Sequence, residues 1–194
     1  MLKKSISAFL IFIFTFSVGK SQNFMHGLGA TISIMTANIS TSSERYTATV
    51  AFTNLTYFPR YTLTKSDRTS LSIGTPVGAG VGFSAGGGSG DASVYYGFDL
   101  PLVIDYNIGR KSTIENEDSF GWYLGTGFGY QFTNWTDGYS TNKLNSYGPL
   151  LRAGIRFGGG SRRPDRATTV GLSFKPGLEK SRFKTFGIAV LTEF

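Results

Sequence analysis

Residues 119–132 read SFGWYLGTGFGYQF, and taking every second residue divides them in two. Phe120, Trp122, Leu124, Thr126, Phe128, Tyr130 and Phe132 share one side, while Gly121, Tyr123, Gly125, Gly127, Gly129 and Gln131 share the other. A period of two is that of a β-strand, whose side chains alternate between the faces of a sheet. In a soluble sheet the face turned from the core carries polar groups for water to solvate. Here that face is mostly glycine and makes a poor exterior. The aromatic and aliphatic face therefore meets lipid, and the glycine face fits the cramped inside of a small closed sheet.

The same alternation recurs along the chain. His26, Leu28, Ala30, Ile32 and Ile34 oppose Gly27, Gly29, Thr31 and Ser33, and Leu71, Ile73, Val77, Ala79, Val81 and Phe83 oppose Ser72, Gly74, Pro76, Gly78, Gly80 and Gly82. In FGIAVLTEF, residues 186–194, Phe186, Ile188, Val190, Thr192 and Phe194 oppose Gly187, Ala189, Leu191 and Glu193. Weaker versions run over 50–61, 95–108, 147–157 and 167–176, which brings the count to eight segments. Each is near the ~9–11 residues with which a tilted strand crosses a bilayer. No stretch of 22–194 keeps a helical period. Because lipid offers backbone groups no hydrogen bonds, strands can cross it only as a closed ring. The predicted fold is all-β: an eight-stranded antiparallel up-and-down transmembrane β-barrel. Tyr57, Tyr61, Tyr106, Phe120 and Trp122 fall near one set of strand ends and Phe83, Tyr96, Tyr130, Phe132 and Tyr147 near the other, as two interfacial girdles require.

The N-terminal residues supply a route to such a membrane. Lys3 and Lys4 precede an apolar run over 9–18, and Gly19-Lys20-Ser21 has small residues where a signal peptidase inspects. Residues 1–21 are thus expected to be a secretory signal peptide and 22–194 the barrel domain. Loss of Lys3, Lys4 and Lys20 would take the net charge of +7 to about +4. Without cysteine the chain has no disulfides, thiolate metal sites or lipoprotein anchor. Arg162, Arg163 and Arg166 form the only basic cluster and are interrupted by Pro164 and Asp165, so no nucleic-acid partner is expected.

The C-terminal FGIAVLTEF resembles the aromatic-ending last strand by which bacterial outer-membrane barrels are recognised for assembly. The mature chain is similar in layout to the small barrels of the OmpA-domain and OmpX type. YGFDLPLVIDYNIG (96–109) followed by GWYLGTGFGYQF (121–132) looks more narrowly like the outer-membrane β-barrel domain common in Bacteroidota. The resemblance implies a location in the cell outer membrane, with both chain ends on the periplasmic side and Phe194 as assembly signal and interfacial anchor. The partners it implies are outer-membrane lipids and lipopolysaccharide, the barrel assembly machinery, and an extracellular partner of loops near 37–48, 84–93 and 133–146.

Motifs that might carry chemistry mostly reduce to structure. Gly78, Gly80 and Gly82, like Gly125, Gly127 and Gly129, recur at period two within strands, whereas a phosphate loop needs a glycine turn that opens a helix. His26 is the only histidine and starts the first strand on the lipid phase, away from the extracellular rim where a barrel hydrolase would hold one. No catalytic residue, metal or cofactor is expected, and the chain is not expected to be an enzyme. Asn38, Asn54 and Asn134 match a glycosylation pattern that means little in a bacterial chain, and Glu115, Glu117 and Asp118 lack calcium-loop spacing and read as a solvated turn.

The informative charges lie on strands. Asp99 and Asp105 of the fourth strand and Arg152 and Arg156 of the sixth fall on the inward phase, and the strand between them presents Gly125, Gly127 and Gly129. Buried charges persist when paired, so these four are expected to form an interior salt-bridge network. The function that follows is an outer-membrane barrel with a side-chain-filled interior, structural or interacting through its loops. The alternative is a narrow pore or small-solute channel, and a soluble ligand-binding barrel would require the faces to be inverted.

Overall fold

The computed structural model describes residues 23–40, 45–84, 93–136, 141–158, 165–179 and 183–194; the expected signal peptide lies outside them. Nine strands run in chain order: β1 Phe24–Ser40, β2 Arg45–Lys65, β3 Thr69–Gly74, β4 Val77–Ser84, β5 Ser93–Gly109, β6 Phe120–Thr136, β7 Thr141–Gly158, β8 Ala167–Pro176 and β9 Lys184–Glu193. Every pairing is antiparallel, and β1 closes the sheet by pairing with both β2 and β9. Strands β3 and β4 are two halves of one stave. Both pair with β2 on one side and β5 on the other, and the register Tyr57↔Val77 continues Arg60↔Gly74. The ring therefore has eight staves, as the alternation predicts.

Pro76 explains the interruption. It has no N–H to donate to β5, where the continued register places Pro101 opposite it. The Thr75 hydroxyl donates to the Pro101 carbonyl instead, at 2.6 Å. A carbonyl facing a missing donor inside a bilayer would otherwise stay bare.

The outer face is apolar along its middle. Leu55 is 68% exposed, Leu102 57% and Leu172 61%, whereas the inward Phe52 and Phe58 are each 1% exposed. An apolar belt of this extent on every stave needs lipid as its solvent. Tyr61, Tyr106, Phe120, Trp122 and Phe194 rim the belt at the end where β1 begins and β9 ends, and Phe83, Tyr96, Tyr130 and Tyr147 rim the other.

The strands differ from expectation in length. Strands β1, β5 and β6 have 17 residues each, β7 has 18 and β2 has 21. Pairing continues to Ser40↔Arg45 and to Thr136↔Thr141, so most of the loops expected over 37–48 and 133–146 are ladder. Lipid is not what sustains a ladder: Thr, recurrent at these ends as Thr47, Thr133, Thr136 and Thr141, is a strand former in water too.

Candidate functional site

The inward phase of six staves delivers polar side chains to one level at the barrel end that holds Phe24 and Phe194. Glu193 of β9 points inward between Thr192 and Phe194, and its carboxylate is 2.8 Å from the Arg60 guanidinium of β2 and 2.9 Å from that of Arg156 on β7. Thr169 of β8 donates to the same carboxylate at 2.7 Å. Asn107 of β5 accepts from Arg60 at 2.7 Å and from Arg156 at 2.9 Å through one amide oxygen, and its nitrogen donates to Ser72 at 2.9 Å. Arg60 and Arg156 are fully buried, as are Asn107 and Glu193. Two guanidiniums share one carboxylate, and neutral acceptors take further N–H groups. Such a layer is stable only when densely hydrogen-bonded, because an unpaired charge in a dry interior costs several kcal/mol.

A second pair lies just above. Asp105, Gly125 and Arg152 are in register across β5, β6 and β7. A β-carbon at Gly125 would fall inside the Asp105 carboxylate, so glycine is what lets Asp105 lie across β6 and come within 3.5 Å of Arg152. The Arg152 guanidinium is 4.6 Å from the Phe58 ring centre and 4.8 Å from that of Tyr123, and it donates to the Tyr123 hydroxyl at 3.1 Å. Arg156 meets the Tyr123 ring too, at 4.7 Å. Cation–ring contacts of this kind strengthen when water is excluded. Tyr123 can cross β7 and β8 because Gly154 and Gly171 leave its ring the room.

Of the four charges singled out from sequence, the fold brings Asp105 and Arg152 together. It pairs Arg156 with Glu193 rather than with an aspartate. Asp99 departs from the expected network: neither Arg152 nor Arg156 is its partner, and the charge acting on it is that of Lys175 on β8. The strand tilt of a closed barrel is the reason, since it moves residues of similar depth in sequence to different heights along the axis. Lys175 reaches Gln131 at 3.4 Å and the Ser146 carbonyl at 3.3 Å. Sequence reasoning missed Arg60 and Glu193 as members. Their signal was phase alone: Arg60 alternates with outward Tyr61, and Glu193 with outward Phe194.

Buried side chains lie at both mouths. At the terminal end the segment after β5 turns inward through Gly109 and Lys111, with φ of 70° and 53°, and buries Arg110, Lys111, Ser112 and Thr113. Arg60 donates to the Lys111 carbonyl at 2.8 Å, and Ser70 donates to that of Ser112. The Lys111 ammonium donates to the Ile114 carbonyl at 3.1 Å; burial, then the neighbouring Arg110 charge, holds its pKa below the usual 10.5. The acidic part of this segment stays at the surface, with Glu115 3.8 Å from Lys65 and Asp118 3.6 Å from Arg68. At the other mouth Met35, Val50, Phe52 and Phe183 pack together, with Tyr95 against them. Glu179 holds the Phe183 segment by accepting its N–H at 2.6 Å. Between the layers lies a cavity of about 70 Å³ bordered by Asn54, Thr56, Asp99, Tyr123, Leu150 and Arg152.

His26 sits outside this system. Its ring contacts Phe24, Tyr57 and Phe194 at the lipid interface, with 2.6 Å between Nδ1 and the Tyr57 hydroxyl. Phe194 exchanges both backbone hydrogen bonds with His26, at 2.9 and 3.0 Å. Among the described residues no group of His, Cys, Asp or Glu could hold a metal ion.

No protein-family model matches the chain, and no curated protein matches it in sequence. The narrower Bacteroidota resemblance therefore rests on the quoted residues alone. Solved structures do match in fold. Neisserial surface protein A is 11% identical, with 88% of this chain and 95% of that one covered at a TM-score of 0.52. The outer membrane protein OprG from Pseudomonas aeruginosa is 11% identical, with 89% and 96% covered at the same TM-score of 0.52. The chain has the fold of the small eight-stranded outer-membrane barrels.

Proposed function

We propose that this chain is an integral outer-membrane protein with a closed lumen, serving a structural or surface-interaction role through its extracellular end. The observation that carries this reading is burial of inward side chains at successive heights: the inturned segment at Arg110, Lys111, Ser112 and Thr113, the layer of Arg60, Asn107, Arg156 and Glu193, and the Phe52–Phe183 cluster. A solute path would have to displace buried ion pairs, at several kcal/mol for each charge left uncompensated. In this reading residues 1–21 are removed on export, and the end holding the termini faces the periplasm. The connections at 41–44, 85–92 and 137–140 then face outward to an extracellular partner. Phe194 serves the assembly machinery, and phospholipid and lipopolysaccharide surround the belt.

The test is conductance. Pure protein in a planar bilayer should be mostly silent. The Arg152→Ala/Arg156→Ala variant removes the ion-pair partner of Asp105 and leaves Glu193 with Arg60 as its one guanidinium; it should be less stable and, where folded, admit cations. Frequent, well-defined openings from the wild-type protein would overturn the closed lumen in favour of the narrow pore. Binding of intact cells to host or environmental surfaces, compared with cells carrying a deletion of 85–92, tests the surface role.

A further inference from the structure

A ring of strands has one seam that the chain does not itself connect, here the β1–β9 ladder from Gly27↔Glu193 to Thr36↔Lys184. Every other neighbouring pair of staves is joined by the covalent chain. Arg60 lies on β2 and Glu193 on β9, with β1 between them, so their 2.8 Å contact spans the seam. It is the only ion pair among the described residues that does so. The Arg156–Glu193 pair joins β7 to β9 and the Asp105–Arg152 pair joins β5 to β7, both on one side of the seam.

Each half of the contact is held in place without the other. Arg60 is fixed by Asn107 at 2.7 Å and by the Lys111 carbonyl at 2.8 Å, from β5 and the inturned segment. Glu193 is fixed by Arg156 at 2.9 Å and Thr169 at 2.7 Å, from β7 and β8. From these contacts we infer that Glu193 and Arg60 are an electrostatic latch that closes the barrel, engaging when β9 meets β1 and resisting lateral opening afterwards. An open seam leaves Arg60 without its carboxylate and both strand edges without partners, and lipid solvates neither. The latch complements the outward side of the same seam, where His26 and Phe194 exchange hydrogen bonds and stack their rings at 5.8 Å. This inference is independent of what the extracellular end binds.

Hydrogen exchange on the folded protein in detergent or bicelles tests it. Glu193→Gln should speed exchange about tenfold or more in peptides covering β1 and β9, with much smaller changes in β6 and β7, as a local opening does. Arg60→Met breaks the same contact from the other side while sparing the Glu193–Arg156 pair, and it should give the same seam-confined pattern; this keeps the inference testable if Glu193→Gln does not fold. Asp105→Asn also removes a buried ion pair, but one that does not touch the seam, and it should leave β1 and β9 no more affected than their neighbours. Uniform acceleration over all strands in the Glu193 and Arg60 variants, or a seam-confined change in the Asp105 variant, would overturn the latch.

Discussion

Gly125 offers the sharpest test of the interior. Replacing it with alanine puts a methyl group where the Asp105 carboxylate lies, which forces that side chain aside and breaks its 3.5 Å approach to Arg152. Removing one partner of a buried pair costs ~3–5 kcal/mol. Here the loss should be about 2–4 kcal/mol, because Arg152 keeps the Phe58 and Tyr123 rings and its bond to the Tyr123 hydroxyl. Gly129, four residues along the same face, is the control. Its added methyl would meet the flexible Lys175 chain at 3.0 Å and Pro101 at 3.8 Å. Gly129→Ala should lie within about 1 kcal/mol of wild type, since the alanine also restricts the unfolded chain by ~0.4–1 kcal/mol. Denaturant unfolding in lipid vesicles, followed by tryptophan fluorescence and by heat-modifiable migration on gels, measures both. In an Asp105→Ala background the cost of Gly125→Ala should fall to about 1 kcal/mol or less, leaving only the tight Ile104 carbonyl contact. Equal costs at the two glycines, or a cost at Gly125 that survives removal of Asp105, would refute the crossing carboxylate.

On the lipid face, Leu102 lies midway between Phe98 and Tyr106 on β5, so Leu102→Arg should cost ~2–4 kcal/mol in a vesicle refolding assay, whereas Tyr96→Arg in the girdle should cost ~0–1 kcal/mol. Deleting Phe194 removes the partner of both His26 backbone hydrogen bonds, and it should lower the amount of folded, heat-modifiable protein in the outer membrane with signal cleavage unchanged. Lys111 is held below its usual 10.5 by burial and by Arg110, so the unfolded segment binds more protons there, and the plug gains stability as pH rises toward 10.5. Limited proteolysis within 110–119 should slow over that rise, and Lys111→Met should abolish the trend.

The stave count and the facing of each strand were legible because lipid and a narrow interior impose opposite demands on alternate residues. Phe120 to Phe132 shows this most clearly, and Pro76 did not hide that 71–83 is one stave. Which charges meet was less legible. Asp99 and Asp105 share a phase, but phase fixes only the face; height along the axis depends on tilt and shear, which are properties of the closed ring. Asp105 and Arg152 could be matched because Gly125 lies between them in register, whereas Glu193 and Arg60 meet only through the seam, the one junction that sequence order does not suggest. The plug was hidden for a related reason: Gly109-Arg110-Lys111 reads as a charged turn, and burial of its cations depends on Arg60 and Ser70 standing inside the mouth to donate to its backbone carbonyls.

The Thr75 hydroxyl that stands in for the N–H missing at Pro76 ties the fates of two neighbours together. Valine at 75 would suit both strand and lipid and would look harmless, yet it would strip the Pro101 carbonyl of its substitute donor. Once Pro76 gives way to a residue bearing an amide hydrogen, position 75 is free to drift. Substitution therefore has a permitted order here, proline first and threonine second, and relatives that keep the proline should keep a hydroxyl immediately before it.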